Sequence, residues 1–291
     1  MSLDKSESIQ NIVTQSGRLA ASGRSIKVKP LSKSRLTMRI TMIALAALTI
    51  YGFFVFDYKN ISPWQGTIDM LTNFKTMFLS PHLAHLTFWE GAYAIVVTLA
   101  MAVLTTLISA FLAFFLALFA AQNLSNHTVA RSIQAVAAFI RSIPTVLWVL
   151  IFAISAGLGS VAAIVGMSFH SISYLTKAYA ESFEEMDQGL IEALRATGAH
   201  WWHIVFQAVL PMSLTYLISW TFMRFEINFG VSVAMGAAAG AGGIGFDMFM
   251  ASAFYHDLRE VGAITYYILV VAFLLEMLSL RMKSAVRGKM I

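Results

Sequence analysis

Four groups of residues in this 291-residue chain have types and spacings that could do chemistry. Gly240-Ala241-Gly242-Gly243-Ile244-Gly245 fits G-x-G-x-x-G, which cradles phosphates when it follows a strand and opens a helix. No strand-patterned run precedes it here, and it lies between two apolar runs. It therefore reads as close backbone packing, or as a turn or gate near an outer mouth, with Gly242 and Gly243 at its centre. The P-loop pattern G-x-x-x-x-G-K-[ST] is absent, so the chain is not expected to bind ATP itself. His82-x-x-His85, with Glu90 nearby, hints at a metal, but one short loop without further ligands does not make a metal site. The absence of cysteine excludes thiolate ligands and disulfides. Arg224 and Glu226 interrupt an otherwise apolar run. Ionisable groups at the centre of a bilayer cost about 2.5–3.5 kcal/mol each and so default to functional candidates. Two residues apart on a helix, they do not face one another, and each needs a partner on another helix, a pore water or an anionic substrate. Asn228 belongs to the same Arg-Phe-Glu-Ile-Asn stretch. His170 lies in an uncharged run, placed to bond a neighbouring helix or to line a pore. Arg141 and Glu276 sit near the ends of their runs, where snorkelling and interfacial solvation explain them.

The elements that must position these groups follow from composition. The chain is 58 % hydrophobic and only 12 % charged, with a mean hydropathy of +0.72. A soluble domain carries about 25 % charged residues, and disorder needs low hydrophobicity, so both are excluded. A helix needs around 20 apolar residues to cross a bilayer. Runs at residues 40–56, 92–121, 142–156, 160–176, 209–223 and 261–280 approach that length, the third and fourth being divided by Gly157-Leu158-Gly159. The expected fold is all-α, a polytopic membrane protein with about six transmembrane helices. Residues 1–39 form a basic tail, residues 57–90 an extramembrane loop with a short interfacial helix. With both termini on one side, fifteen Lys/Arg face that side and only Lys59, Lys75 and Arg259 the other. The positive-inside rule then places both termini in the cytosol. Topology thus accounts for the pI of about 9.5, and a nucleic-acid partner is disfavoured because no basic face or reading motif appears.

The loop at about 181–211 is too organised for a connector. Glu184, Glu185 and Asp187 precede the helix-forming stretch 188–197, where acids favour the positive end of the helix dipole. Gly198 stands where a C′ glycine ends a helix in the left-handed conformation. A second amphipathic stretch, 199–210, carries Trp201 and Trp202, and Pro211 starts the next span. Two short helices meeting at a glycine corner make a rigid knob of the kind that docks in a groove of another subunit.

Glu192-Ala193-Leu194-x-x-x-Gly198 followed by Leu210-Pro211 resembles the EAA loop of ABC-importer permease subunits. The stretches RSIPTVLWVLIF, GLG, EALRATGA, RFEIN and GAGGIG are similar to the phosphonate-type permeases, over roughly residues 92–281. Leu194 and Ala208 replace an alanine and an isoleucine of the usual loop, and Thr145 and Gly230 replace a glutamate and an arginine elsewhere. The resemblance implies a type I ABC-importer permease architecture: residues 1–39 a cytosolic tail, 40–91 a first transmembrane helix and extracytoplasmic loop, and 92–291 the permease core. It implies a homodimer in the bacterial plasma (inner) membrane with the pathway at the dimer interface. A cytosolic nucleotide-binding ATPase dimer would hold ATP and Mg, and an extracytoplasmic substrate-binding protein would deliver a phosphonate or related phosphorus oxyanion. The chain itself would be no enzyme and carry no cofactor. Glu192, Ala193, Leu194 and Gly198 would couple it to the ATPase. Arg224, Glu226, Asn228, His170, Gly242 and Gly243 would lie along the translocation path or gate. The alternatives are an ABC permease for another small solute, or a secondary transporter or channel using Arg224, Glu226 and Glu276 as an ion or proton relay. No convincing inverted repeat supports the relay. A membrane enzyme is disfavoured because no nucleophile–base pair or metal constellation gathers on one side of the bilayer.

Overall fold

The computed structural model describes residues 33–55 and 62–287, and its contacts divide the chain into residues 1–63 and 64–291. In the first unit, helix α1 (Lys33–Val55) is a candidate span whose apolar side chains are exposed along its length. The described part of the helix already includes residues 34–39, before the first apolar run, because long basic side chains such as Arg35 and Arg39 can ride on a helix while their heads stay in water. The rest of the basic tail lies outside the described residues.

The second unit is a helical bundle, with no strand among the described residues. Helix α2 (Pro63–Leu79) is the short helix expected in the extramembrane loop. Helix α3 (Phe88–Ala120) has 33 residues, about 50 Å at 1.5 Å per residue. Its start is fixed by a capping box, in which Thr87 accepts from the Glu90 backbone and Glu90 accepts from the Thr87 backbone. Glu90 is thereby committed to a cap and not to the histidines before it.

Helix α4 (His127–Ser142) and helix α5 (Thr145–Ala156) meet at an 86° bend. The expectation of a simple third span over residues 142–156 is thus corrected. Pro144 cannot donate a backbone hydrogen bond and disfavours a helical residue before it, so the chain turns there. The 12 residues of α5 reach only about 18 Å, well short of a bilayer. The Gly157–Gly159 turn then leads into α6 (Ser160–Glu184), which packs against α3, α4, α5 and α9.

Among the described residues, four helices are long and apolar enough to cross a membrane, or five if the bent pair is one span. Helix α6 accounts for much of the difference from the expected six. It is 25 residues long, but most of its buried positions are serines, alanines, a glycine and a threonine, beside Met167, Leu175, Tyr179 and Phe183. A helix wrapped by other helices needs small, hydrogen-bonding residues more than lipid-facing apolar ones.

Helix α7 (Gln188–Ala196) and α8 (Trp201–Ile204) form the extramembrane corner. Helix α8 runs through a π turn (Val205–Val209) into α9 (Leu210–Ala239), a continuous path of 39 residues. The reading that treated 199–210 as separate from the span is corrected accordingly. The wide turn immediately before Pro211 accommodates a residue with no donor for the preceding turn. After Gly240 come α10 (Ile244–Phe249), a second π turn (Met250–Phe254) and α11 (Leu258–Arg287).

Candidate coupling corner and intramembrane polar cluster

The corner is built by local chemistry. The Asp187 side chain accepts from the Gly189 backbone at 2.9 Å and caps α7. At the other end, Gly198 N–H donates to Arg195 O at 3.0 Å and Ala199 N–H donates to Leu194 O at 3.1 Å. Those two bonds are the Schellman pair, with Gly198 at φ +79° as the left-handed residue. Ile191 is fully buried and joins Leu118, Leu124, Phe183, Ile204 and Val205 in one apolar cluster. The corner is tied to the α3–α4 connection by Arg195 Nη2 donating to Asn123 O at 2.8 Å and Trp201 Nε1 donating to Leu124 O at 2.9 Å. Trp201 also stacks on Phe119 at 5.5 Å between centroids. Glu192, Ala193 and Gly198 are exposed on the outside of this fixed frame, and Leu194 is half-buried beneath them. The corner is therefore fastened to α3, α6 and α9.

A polar cluster lies between α6 and α9. Arg224 is 3 % exposed. Its Nε donates to Ser171 Oγ at 3.0 Å, its Nη2 meets His170 Nδ1 at 3.0 Å, and its guanidinium sits 5.1 Å from the Tyr174 ring centre. Ser171 Oγ in turn donates to Asn228 Oδ1 at 3.0 Å, and Asn228 Nδ2 donates to Thr106 Oγ1 at 2.9 Å. Arg224, Asn228 and His170 are thus brought together, with Thr106, Ser171 and Tyr174 as members that the sequence reading missed. The polar run His-Ser-Ile-Ser-Tyr in an uncharged stretch was the available signal. The Arg224 contacts are neutral groups, so its charge is hydrogen-bonded without being cancelled. Glu226 is half-buried and does not belong to this chain of bonds, and Glu276 stands exposed on α11. Arg141 does not snorkel, because its Nη1 donates to Ser173 O at 2.7 Å and ties α4 to α6.

Gly242 and Gly243 lie apart from that cluster, in the turn between α9 and α10 packed on α3. Gly243 has φ +70°, and a Cβ there would run into Thr98 Oγ1 and approach Ala94 O to 3.2 Å. Thr98 Oγ1 accepts from Ile244 N at 3.0 Å in the same place. Gly243→Ala is therefore expected to destabilise the fold by about 1–3 kcal/mol, read as a lower melting temperature in detergent. An unchanged melting temperature would show that the turn yields freely. The apparent dinucleotide pattern is a packing device at this position.

The histidine pair of the extramembrane loop meets residues far away in sequence. His85 Nδ1 lies 2.8 Å from Glu260 Oε2, and His82 Nε2 lies 3.7 Å from Asp257 Oδ2. These groups gather at the end of α3 opposite the corner.

Apolar helices thus surround a buried polar cluster, and a two-helix corner projects at one end of the bundle. A family profile described as "Binding-protein-dependent transport system inner membrane component" matches residues 113–287. The chain belongs to that family, and its resemblance to the phosphonate-type ABC-importer permeases stands. It is 33 % identical over 183 residues to a phosphate-import permease protein of Mycolicibacterium smegmatis, a match covering 62 % of this chain and 34 % of that one. It is likewise 33 % identical to a phosphite transport system permease protein of Stutzerimonas stutzeri, covering 62 % of this chain and 66 % of that one. The matched stretch is thus less than two thirds of either relative. The permease of the inward-facing MetNI methionine ABC transporter superposes with a TM-score of 0.61 at 22 % identity, over 70 % of this chain and 99 % of that one. At that identity the likeness speaks for the fold alone, which is the type I permease architecture.

Proposed function

We propose that this chain forms the translocation pathway of an ATP-driven importer for phosphorus oxyanions. The single observation that carries the reading is the Schellman-locked corner at Gly198, bonded through Arg195 and Trp201 to the frame of the bundle. In this reading a separate cytosolic ATPase dimer, which binds ATP and Mg, grips Glu192, Ala193 and Gly198. The corner then passes the closing stroke to α3, α6 and α9 as a rigid-body shift. The chain works as a homodimer in the bacterial inner membrane, with both termini cytosolic and cargo delivered by an extracytoplasmic binding protein. The names of the phosphate and phosphite permeases support an oxyanion cargo. So does Arg224, a buried cation among neutral partners that leaves positive potential between α6 and α9.

The test is uptake in proteoliposomes that hold this chain with its copurifying ATPase and binding protein. Methylphosphonate or phosphite is expected to accumulate only when ATP is supplied on the ATPase side, and methionine is expected not to compete. Uptake by the isolated chain on an ion gradient would overturn the reading in favour of a relay.

A further inference from the structure

The histidines and carboxylates at the end of α3 opposite the corner are arranged beyond what helix capping requires. Each carboxylate has one oxygen anchored by backbone amides. Asp257 Oδ1 accepts from Arg259 N at 2.9 Å and from Glu260 N at 3.2 Å. Glu260 Oε1 accepts from Ala84 N, His85 N and Leu86 N at 3.2, 2.8 and 3.0 Å. Those bonds account for capping α11 and for fastening residues 84–86 to it. They also leave the second oxygen of each carboxylate facing an imidazole, Oδ2 toward His82 Nε2 and Oε2 toward His85 Nδ1.

We propose that His82, His85, Asp257 and Glu260 form a binding site for a divalent transition cation of the zinc type. The ligand pattern is H-x-x-H from one segment and D-x-x-E from another, the two brought together across 175 residues of sequence. One ligand atom each from His85, Asp257 and Glu260 already lie within 4.8 Å of one another. Four nitrogen and oxygen ligands at about 2.0–2.2 Å from zinc stand about 3.3 Å apart. The 2.8 and 3.7 Å separations within the two His–carboxylate pairs bracket that value; His85, Asp257 and Glu260 already converge, and His82, beside Asp257, must turn in to complete the set. Two carboxylates balance the charge of a divalent cation. The groups that fix ligand orientation in metal sites are present as well: the amides behind both carboxylates, and the Tyr255 ring stacked on His85 at 3.8 Å between centroids. Imidazole and carboxylate donors with no thiolate suit zinc and its neighbours better than magnesium, which keeps octahedral oxygen ligands and water. A bound cation would pin residues 82–85 onto the start of α11. In the orientation proposed above, that is the extracytoplasmic side, although the binding itself does not depend on that orientation.

The experiment uses the full chain purified through a tag without histidines, stripped with EDTA and titrated with Zn2+, with Co2+ as a spectroscopic probe. We expect one Zn2+ per chain, no response to Mg2+, and a visible Co2+ spectrum of the four-coordinate kind. His85→Ala and Asp257→Asn should each weaken Zn2+ binding more than about tenfold, with helicity and elution volume unchanged. The paired variant His200→Ala/His203→Ala, which removes the other close histidine pair (5.9 Å between ring centres), should bind as the parent does. Absence of binding, or equal affinity in His85→Ala and Asp257→Asn, would show that the cluster is a metal-free clasp of two His–carboxylate pairs and would overturn the proposal.

Discussion

Gly198→Val should reduce ATP-driven uptake at least tenfold while the protein still inserts and folds. The backbone at Gly198 is left-handed, at φ +79°, and a Cβ there would meet no atom within 4 Å. Any loss is therefore a backbone effect and not a collision. An L side chain in this region costs about 1–2 kcal/mol, and a β-branched one is a genuine outlier there. About 1.4 kcal/mol corresponds to a tenfold change in equilibrium, so valine shifts the balance away from the locked form about tenfold or more. The bonds from Gly198 N to Arg195 O and from Ala199 N to Leu194 O go with it, freeing α7 from α8. Gly198→Asn should retain most uptake, because asparagine tolerates the left-handed region. Glu192→Ala should leave the corner folded, since Glu192 is exposed, yet lower uptake through loss of the contact it offers. The measurement is uptake together with ATP hydrolysis by the reconstituted complex, with hydrolysis continuing while uptake falls. Normal uptake in both Gly198→Val and Glu192→Ala would remove the coupling role from this corner.

The corner was legible in the sequence because local rules decide it. An acid at the N-cap, a glycine at C′ and an apolar residue on the inner face are settled within one or two turns of chain. The apolar spans α3 and α11 were legible for the same reason, since lipid-facing composition is a property of the segment itself, whereas α9 runs on to Ala239, past the apolar run that ends at residue 223. Helix α6 was less so. Its serines and His170 read as an uncharged, moderately apolar run, and only its burial among four helices shows why they are polar. Pro144 was visible, but its effect on direction was not. Whether a proline kinks a span or turns it through 86° depends on what α4 and α5 pack against. Arg141 was misread because snorkelling is the default near a span end, and the acceptor that captures it, Ser173 O, is on another helix. The His82/His85 pair lacked partners for the same reason. Asp257 and Glu260 follow it by some 175 residues, and nothing in either segment alone names the other.

Arg224→Met separates charge from packing in the polar cluster. Methionine keeps an unbranched side chain and removes the cation. Replacing a buried ionic group with an apolar one of similar size is often neutral or stabilising, and Ser171 keeps its bond to Asn228 at 3.0 Å. The melting temperature should therefore hold or rise. Transport should not hold. A unit charge acts on an anion about 10 Å away with about 1.7 kcal/mol at an effective dielectric constant of about 20, which is more than a factor of ten. In this conformation Arg224 is 3 % exposed, so in the proposed reading it would act on the pathway through its field, beside half-buried His170. Asn228→Leu is the complementary variant. It keeps the cation but leaves Thr106 Oγ1 and Ser171 Oγ without the partner that joins α3 to α6, at a cost of about 1–3 kcal/mol. The expected pattern is crossed: Arg224→Met loses oxyanion uptake and keeps stability, while Asn228→Leu loses stability first. Equal uptake by Arg224→Met and the parent protein would show that the guanidinium serves helix packing alone, and the case for an anionic cargo would then rest on the relatives without support from this site.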